Sequence, residues 1–579
     1  MPDPIEPLNR SLWALNHGLL VGVMQPTASV YRTVVASPVR RSIRDFTRNL
    51  TYPGRCLNHL LQGRWTGAGD ESLRFLCNST AGVGGLFDVA SRWHLPKSDA
   101  SFSQTFGRWG WTPRTYLMLP VLGASDECHV VGGAADVAAE PWNYSSPYFY
   151  LDYATYYNEL TDKVDEDARF IHSEADPYAT AKYTWTYTSQ CEPPDWRTTG
   201  ANKDAATLQT LGVARITCQD PDFPQRGTQM SVRLPSTGRN MLFNCWLQPG
   251  SAPLVYVAPG IGSHRLSLTT LALAENLYLN GFSVVTTTNG FHPEFMERAS
   301  TTALPGYPPA DCRDLLMELT AIDRALAKKR PGLLGKRALV GFSTGGYETL
   351  YLAAREQQQE SGLLRFDRYV AIDTPVDLNH SVTCIDRFSN AAQAWPPAQR
   401  QALVNNALHK ATMLETLPAA ATSDLPFDAI ESKYLIGLTF RLILRDIIFS
   451  SQSRHNLGVL RTPLSRWRRE PGYQEIAGYS YRDYFNKFVF PYYHQQGIEL
   501  RDFNREGSLM TYENKLRSQP KIRVLLNRND FLLTPADLSW WHATLGPTRL
   551  KVFPSGGHLG NLVSGPVQQA VIESLRGLQ

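Results

Sequence analysis

The stretch that decides the fold is RALVGFSTGG, residues 337–346. An apolar run that predicts a strand ends at Val340, and a helical pattern begins near Tyr347. Between them lies Gly-x-Ser-x-Gly, whose glycines leave room for the sharp strand-to-helix turn that exposes a serine hydroxyl. The stretch therefore predicts a nucleophile elbow with Ser343 as the nucleophile.

The residues downstream of this serine include candidates for its base and its acid. A serine hydroxyl needs a base to take its proton, and the base needs an acid that fixes its tautomer. In a strand-turn-helix setting the chain order is serine, acid, histidine. The predicted strand Ile522–Leu526 leads to Asp530, and the predicted strand Leu550–Phe553 leads to His558 in a glycine-rich loop. We therefore predict Asp530 as the acid and His558 as the base.

Three other residues compete for these roles. Asp373 ends the strand predicted before Asp530 and is a second candidate for the acid. His264 and His292 also follow predicted strands, but both precede the serine. We expect these two histidines to line the pocket rather than to act as the base.

Acyl transfer also needs N–H donors for the oxyanion that forms on the carbonyl oxygen. One donor usually follows the nucleophile, and the other lies in the loop after an earlier strand. Here the expected donors are the backbone N–H groups of Thr344 and of Ile261, which lies between two glycines. No Walker loop, GxGxxG, HExxH or CxxC motif competes, so we expect no cofactor and no metal.

The composition is that of a globular protein with several domains. The chain has 579 residues, of which 43% are hydrophobic and 19% are charged. Its net charge of +4 is small for this length, whereas a nucleic-acid partner needs a concentrated basic face. We therefore expect no nucleic-acid partner.

The patterns predict a mixed fold in two domains. Residues 1–190 are helical in pattern, and the Pro-rich and Gly-containing segment 191–205 is interpreted as a linker. In 206–579 short apolar runs alternate with helices, which predicts a mostly parallel sheet covered on both faces. Helices replace strands over about 377–517, which we interpret as a lid. The first strands predicted are Val213–Cys218, Met230–Leu234 and Met241–Leu247.

Two apolar helices raise the question of membrane contact. The apolar face of Ser11–Met24 favours, from periodicity alone, packing within a small helical domain over lying on a membrane surface. Lys433–Phe449 carries Arg441 and Arg445 on one face, which indicates an amphipathic helix. We interpret it as the core of the lid, with membrane docking as the alternative. No charge-free apolar run of about 18 residues occurs, so no transmembrane helix is predicted.

From about 205 to 579 the elbow, the acid and the histidine resemble the α/β-hydrolase superfamily. The resemblance implies a triad of Ser343, Asp530 and His558, an ester or related acyl bond as the target, and a lid after the sixth strand. It does not choose among esterases, lipases, peptidases and acyltransferases, because one fold hosts many reactions.

The first 190 residues carry a denser resemblance, to the MlaA (VacJ) family. It rests on DPIEPLNR (3–10), TYPGRCLNHLLQGRWTGAGDESLRFLCNSTAGVGGLFDVA (51–90), FSQTFGRWG (102–110), YLMLPVLG (116–123) and DPYATAKYTW (176–185). The family implies a ring of helices in the inner leaflet of the Gram-negative outer membrane, with a channel that extracts misplaced phospholipids. It also implies two partners, a trimeric porin and a soluble periplasmic lipid carrier. The resemblance shifts the apolar faces of the first domain from core towards membrane.

Family members usually carry a secretion signal and a lipidated cysteine just before the region where this chain begins. The first cysteine here is Cys56. We expect either a trimmed mature chain or no lipid anchor, and a location on the periplasmic side of the outer membrane.

Together the two resemblances predict an outer-membrane-associated serine hydrolase that cleaves acyl esters of lipids, of phospholipase or lysophospholipase type. The first domain would present the lipid. Two alternatives stay open: a membrane-anchored carboxylesterase or lipase for exogenous esters, and a non-catalytic phospholipid transport component. An acyltransferase also stays open, because the exclusion of water from a pocket cannot be read from a motif.

Overall fold

The structure is a computed structural model and describes residues 1–144, 149–189, 205–332, 334–414 and 425–578. The chain divides into two compact units, Met1–Pro194 and Asp195–Gln579. The linker predicted at 191–205 lies outside the described residues except for its last one. The domain boundaries at 190 and 206 therefore stay predictions.

The first unit is helical apart from one hairpin. Its helices are α1 (Glu6–Leu19), α2 (Gln25–Val34), α3 (Ser37–Leu50), α4 (Tyr52–Leu61), α5 (Trp65–Thr80), α6 (Val89–Arg92), α7 (Phe102–Arg108), α8 (Glu127–Ala139), α9 (Phe149–Ser173) and α10 (Pro177–Thr188). A π-helical turn, Leu20–Met24, joins α1 to α2. The helical prediction for this unit is confirmed.

The hairpin was not predicted. Strands β1 (Tyr116–Leu119) and β2 (Gly123–Asp126) pair antiparallel around a turn in which Val121 and Gly123 both have positive φ. Four-residue strands are too short to show a clear alternation of apolar and polar residues, so their sequence does not stand out.

The motifs DPIEPLNR (3–10) and DPYATAKYTW (176–185) contact each other inside the first unit. The guanidinium of Arg10 donates to both carboxylate oxygens of Asp176 at 3.0 and 2.9 Å, and its Nε donates to Glu6 at 2.8 Å. All three side chains are at least nine-tenths buried. Because a buried cation must be paired, these residues tie α1 to the start of α10.

The second unit is built on one sheet. Its strands are β3 (Thr228–Arg233), β4 (Asn240–Trp246), β5 (Ala252–Ala258), β6 (Ser283–Thr286), β7 (Leu334–Phe342), β8 (Arg368–Ile372), β9 (Ile522–Asn527) and β10 (Leu550–Phe553). They lie in the order β10-β9-β8-β7-β5-β6-β4-β3. The pairs from β10 to β6 are parallel, and the β6–β4 and β4–β3 pairs are antiparallel. The predicted α/β-hydrolase fold is thus confirmed.

The second unit contains sixteen helices in its described part, and some of them cover both faces of the sheet. The sixteen helices are α11 (Ala205–Leu211), α12 (Phe223–Arg226), α13 (Leu268–Leu279), α14 (Pro293–Arg298), α15 (Pro308–Lys329), α16 (Thr344–Arg355), α17 (Leu378–Ser389), α18 (Pro397–Thr412), α19 (Ala429–Arg454), α20 (Glu470–Ile476), α21 (Tyr481–Tyr484), α22 (Phe490–His494), α23 (Leu500–Glu506), α24 (Glu513–Ser518), α25 (Pro535–Leu545) and α26 (Gly565–Ser574). Every residue of β5 is buried: Leu254 and Tyr256 pack with α15 and α16, whereas Val255 and Val257 pack with α13 and α26. This arrangement explains why the central strands are apolar on both faces.

Helices α17 to α24 lie between β8, the sixth strand of the second unit, and β9. They occupy the segment predicted at 377–517, and its function as a lid stays a prediction. Within it, Lys410 Nζ contacts the carboxylate of Glu431 at 2.8 Å in the interior.

The strand predicted at Val213–Cys218 is wrong. Gly212–Arg215 forms a 3-10 turn, and Ile216 and Cys218 are buried beside Phe223 rather than paired with a strand. A short apolar run satisfies either structure, and tertiary packing decided between them.

Within the described ranges, the search for a helix of sufficient length and apolar content to cross a bilayer finds none.

Candidate active site

The turn after β7 holds Ser343 in a backbone conformation that few residues adopt. Its φ is 53° and its ψ is −124°. A Cβ at Gly341 would lie 2.1 Å from the carbonyl oxygen of Gly345, and one at Gly345 would lie 2.1 Å from that of Ala258. Both glycines of the motif are therefore required by close backbone contacts, and the strained serine is held at the start of α16.

Ser343, His558 and Asp530 form one hydrogen-bonded chain. The Oγ of Ser343 donates to Nε2 of His558 at 2.9 Å. The Nδ1 of His558 donates to Oδ2 of Asp530 at 2.8 Å. All three residues are at most 5% exposed. The structure thus brings together the three residues predicted from the sequence.

The loops on which the acid and the histidine lie are fixed by local contacts. Asp530 also accepts from the N–H of Leu532 at 2.9 Å, and Thr534 caps the helix that follows. The backbone N–H of His558 donates to Oγ1 of Thr210 at 2.9 Å. Gly557 has a φ of 59°, and a Cβ there would lie 2.3 Å from a backbone oxygen of α11. The histidine loop therefore packs tightly against α11.

Asp373 takes a different place from the one a catalytic acid needs. Its Oδ1 accepts from the backbone N–H of Asn527 at 2.8 Å. Its Oδ2 accepts from Nδ2 of Asn527 at 2.8 Å and from the N–H of Leu559 at 3.0 Å. These bonds connect the end of β8 to the end of β9 and to the residue after His558. Asp373 is thus a brace between the loops and does not hydrogen-bond to the imidazole.

Burial and two nearby carboxylates act in opposite directions on the pKa of His558. Burial opposes the imidazolium, but the carboxylates of Asp530 and Asp373 outweigh it and raise the pKa of His558. Burial and the charge of Asp530 raise the pKa of Asp373 to about 7. An imidazole poised in this way is suited to accept a proton from serine and to return it to a leaving group.

The two expected oxyanion donors lie beside the serine. Ile261, Ser343 and Thr344 line one cavity, and a Cβ at Gly260 would lie 3.1 Å from that of Ser343. Neither the N–H of Ile261 nor that of Thr344 donates to any group in the described part of the chain. Both N–H groups are therefore free to meet an oxyanion.

His264 and His292 do not line this cavity. Nε2 of His264 contacts Glu294 at 2.9 Å, and Nδ1 of His292 accepts from the N–H of Glu294 at 3.1 Å. Arg265 donates to Glu294 and, at 2.9 Å, to Asn244. This buried network anchors the turn that follows Ile261, so the two histidines support the turn.

The cavity beside Ser343 has a volume of about 60 Å³ and a mostly apolar wall. Helices inserted between β8 and β9 supply part of that wall through Leu378, Phe440 and Tyr481. Phe440 belongs to α19, and Leu444, Ile447 and Ile448 of the same helix are buried. These residues of the helix are thus packed inside the second unit, and the interpretation of the helix as lid core stays a prediction. No cluster of His, Cys, Asp or Glu within the described ranges is arranged to hold a metal ion.

The first unit contains a larger cavity, of about 470 Å³. Trp13, Leu20 and Val23 on its first helical segment face Phe170 of α9 across it. Its size and apolar wall would suit hydrocarbon chains.

Residues 1–192 match the family model of the MlaA lipoprotein. The phospholipid transport lipoprotein MlaA of Haemophilus influenzae is 27% identical over 184 residues, which cover 31% of this chain and 74% of that protein. An uncharacterised protein of Rickettsia felis is 34% identical over 124 residues, 21% of this chain and 49% of that protein. The chain thus spans about half the length of the first curated relatives that it matches. The resemblance of the first unit to MlaA is confirmed.

A solved structure is similar to the other part of the chain. It is a membrane phospholipase A, described as a novel bacterial virulence factor, with 15% identity and a TM-score of 0.32. The match covers 65% of this chain and 91% of that structure.

Two features of the site in the second unit were not predicted from the sequence. Glu348 lines the cavity beside Ser343. A glutamate within a predicted helix does not by itself indicate that its side chain borders an active-site cavity. Its spacing of five residues from the serine could have shown that it lies on the first turns of α16. Asp373 connects the loops through three N–H groups of Asn527 and Leu559, which are far from it in sequence. A local sequence pattern cannot predict these contacts.

Proposed function

We propose that this protein is a membrane-associated serine hydrolase that cleaves acyl esters of lipids. The observation that carries the proposal is the hydrogen-bonded chain from Asp530 through His558 to Ser343, which lies on a strained turn. Such an arrangement is the one by which a neutral serine becomes a nucleophile. The roles of the five predicted site residues are part of this proposal.

The reaction would proceed by acyl transfer. Ser343 Oγ attacks the ester carbonyl carbon while Nε2 of His558 takes the hydroxyl proton, and Asp530 stabilises the resulting imidazolium. The N–H groups of Ile261 and Thr344 donate to the oxyanion. The C–O bond to the alcohol then breaks as His558 returns the proton to the leaving oxygen. A water molecule releases the acyl group from Ser343 by the same steps.

The MlaA-like unit supports a lipid as the substrate. Its apolar cavity of about 470 Å³ offers room for a hydrocarbon chain, and its relatives include a phospholipid transport lipoprotein. Joining such a unit to a hydrolase raises the effective concentration of lipid at the second site without any new contact. We propose a location at the inner leaflet of the outer membrane, with a trimeric porin and a periplasmic lipid carrier as partners.

The test is to incubate the full chain and its Ser343→Ala variant with phospholipid vesicles, and separately with a short-chain 4-nitrophenyl ester. Free fatty acid and lyso-lipid are followed by mass spectrometry, and a thermal melt checks that the variant folds. We expect lyso-lipid from the unaltered chain only. Lyso-lipid in equal amount from the variant would rule out Ser343 as the nucleophile.

One observation favours the anchored carboxylesterase as a second candidate. The cavity beside Ser343 is about 60 Å³, far smaller than the cavity of the first unit, which suits a short acyl group. Cleavage of the soluble ester alone would favour this alternative. Absence of cleavage of both substrates would favour the transport or acyltransferase alternatives.

A further inference from the structure

The wall of the cavity beside Ser343 includes the carboxyl group of Glu348, which has no role in the proposed acyl transfer. Glu348 is 5% exposed and lines this cavity together with Ser343 and Thr344. No group in the described ranges donates a hydrogen bond to its carboxyl or lies in an ion pair with it. A carboxyl that borders a cavity and has no partner within the protein can be satisfied by a group of the ligand, which points to a partner that the ligand supplies.

We propose that this cavity is a subsite for an acyl group that carries a hydroxyl, and that Glu348 binds that hydroxyl. This inference rests on the proposed function, since it names the class of acyl group that Ser343 receives. It adds a residue that contacts the substrate and determines specificity.

Three other side chains of the cavity wall are already bonded within the protein. The hydroxyl of Tyr347 donates to the carbonyl of Glu506 at 2.6 Å, and that of Tyr481 donates to the carbonyl of Phe440 at 2.9 Å. The hydroxyl of Ser381 donates to the carbonyl of Asp377 at 2.9 Å. The carboxyl of Glu348, in contrast, has both oxygens available for a hydrogen bond with a ligand.

A second carboxyl lies on the same wall. Asp311, on α15, accepts from the N–H of Gly306 at 2.7 Å, and its charge acts on Glu348. The charge of Glu348 in turn acts on Cys312 and Glu318. Each of these neighbours is acidic, and the wall includes no lysine, arginine or histidine among the described residues. The wall itself therefore offers no cation that would stabilise the anion of Glu348.

This environment keeps the carboxyl neutral. Burial and the charge of Asp311 raise the pKa of Glu348 well above its ordinary value. A neutral carboxylic acid has one O–H donor and one carbonyl acceptor. A hydroxyl on the ligand can satisfy both, whereas a phosphate would bring a negative charge to a wall that has no cation. This is why we infer a hydroxylated acyl chain rather than a phosphate headgroup.

The test compares 4-nitrophenyl hexanoate with its 2-, 3- and 6-hydroxy derivatives, which place the hydroxyl at three distances from the ester. The readout is the ratio of kcat/KM for each hydroxylated ester to that for the plain ester. We expect the full chain to prefer one positional isomer by about tenfold, which is the effect of one added hydrogen bond to a buried partner.

Three variants connect this ratio to the side chain. Glu348→Leu has similar bulk without a polar atom and should bring the ratio to about one. Glu348→Gln keeps a donor and an acceptor and should retain most of the preference. Glu318→Gln is the matched control, because Glu318 is a buried acid outside the cavity wall and its loss should not change the ratio.

Each outcome bears on the inference. A ratio of one for every isomer with the unaltered chain, or an unchanged ratio in Glu348→Leu, would overturn it. A preference for 6-aminohexanoate that increases with pH would also overturn it, in favour of an ammonium ligand. Failure of the unaltered chain to cleave even the plain ester would contradict the proposed function itself, so the two failures can be told apart.

Discussion

The choice of the acid can be tested by comparing Asp530→Asn with Asp373→Asn. Both aspartates are buried at the ends of adjacent strands, and both raise the pKa of His558. They differ in their hydrogen bonds. Asp530 accepts from Nδ1 of His558, whereas Asp373 accepts from the N–H groups of Asn527 and Leu559.

Asp530→Asn should abolish most of the activity with little loss of stability. Its amide oxygen can still accept from the N–H of Leu532, but its NH₂ group would face Nδ1 of His558. The imidazole would then take the wrong tautomer to accept the serine proton. In a serine-histidine-aspartate triad the same substitution lowers kcat by about four orders of magnitude, and we expect a loss of that size.

Asp373→Asn should instead destabilise the fold. Three N–H groups converge on its two oxygens, and an amide provides only one oxygen. In the better orientation the amide keeps the two bonds made by Oδ2 and turns its NH₂ towards the N–H of Asn527. One buried donor left without an acceptor costs about 1–3 kcal/mol. The contact between His558 and Asp530 remains, so we expect kcat to fall by less than about 100-fold.

The assay measures kcat on a soluble 4-nitrophenyl ester and the free energy of unfolding from urea titration. The expected result is a large loss of kcat in Asp530→Asn and a loss of stability in Asp373→Asn. If Asp373→Asn loses as much activity as Asp530→Asn, or if Asp530→Asn stays active, the assignment of the acid is refuted.

Two further predictions concern the imidazole and the elbow. Since His558 accepts a proton only when neutral and its pKa is raised, kcat/KM should increase with pH through a midpoint above 6.5. A midpoint at or below 6.5 would contradict this. In Gly345→Ala the new Cβ would meet the carbonyl oxygen of Ala258 at 2.1 Å, so we expect a loss of stability of about 2 kcal/mol or more, measured by urea unfolding, together with loss of ester cleavage. Gly250→Ala, where a Cβ meets nothing within 4 Å, is the matched control, and equal stability of the two variants would refute the argument.

Much of the second unit could be predicted because its signals are local. The apolar run before Gly341, the two glycines of the elbow and the Thr534 cap each act over a few residues. The short strand Val213–Cys218 was predicted wrongly, because a brief apolar run fits a strand or a buried loop equally well. The hairpin β1–β2 was missed for a related reason, since its strands are only four residues long.

Local signals favour Asp530 as the acid but do not exclude Asp373. Strands β8 and β9 are paired so that Ile372 lies beside Leu525, which brings Asp373 and the loop of Asp530 to the same edge of the sheet. Sequence order favours Asp530, but both residues satisfy the general pattern of an acid after a strand. Which carboxylate points to the imidazole depends on the direction of side chains in the folded loops.

The sequence by itself determined the MlaA-like character of the first unit, the alternation of strands and helices in the second, and the serine, acid and histidine in their order. These features follow from composition, spacing and turns, which act between neighbours in the chain. Only the tertiary structure decided that Asp373 is a brace, that helices from the inserted segment form part of the wall beside Ser343, and that Glu348 lies on that wall without a partner. These depend on contacts between segments that are far apart in sequence, where burial and the match of donors to acceptors are set only when the chain has folded.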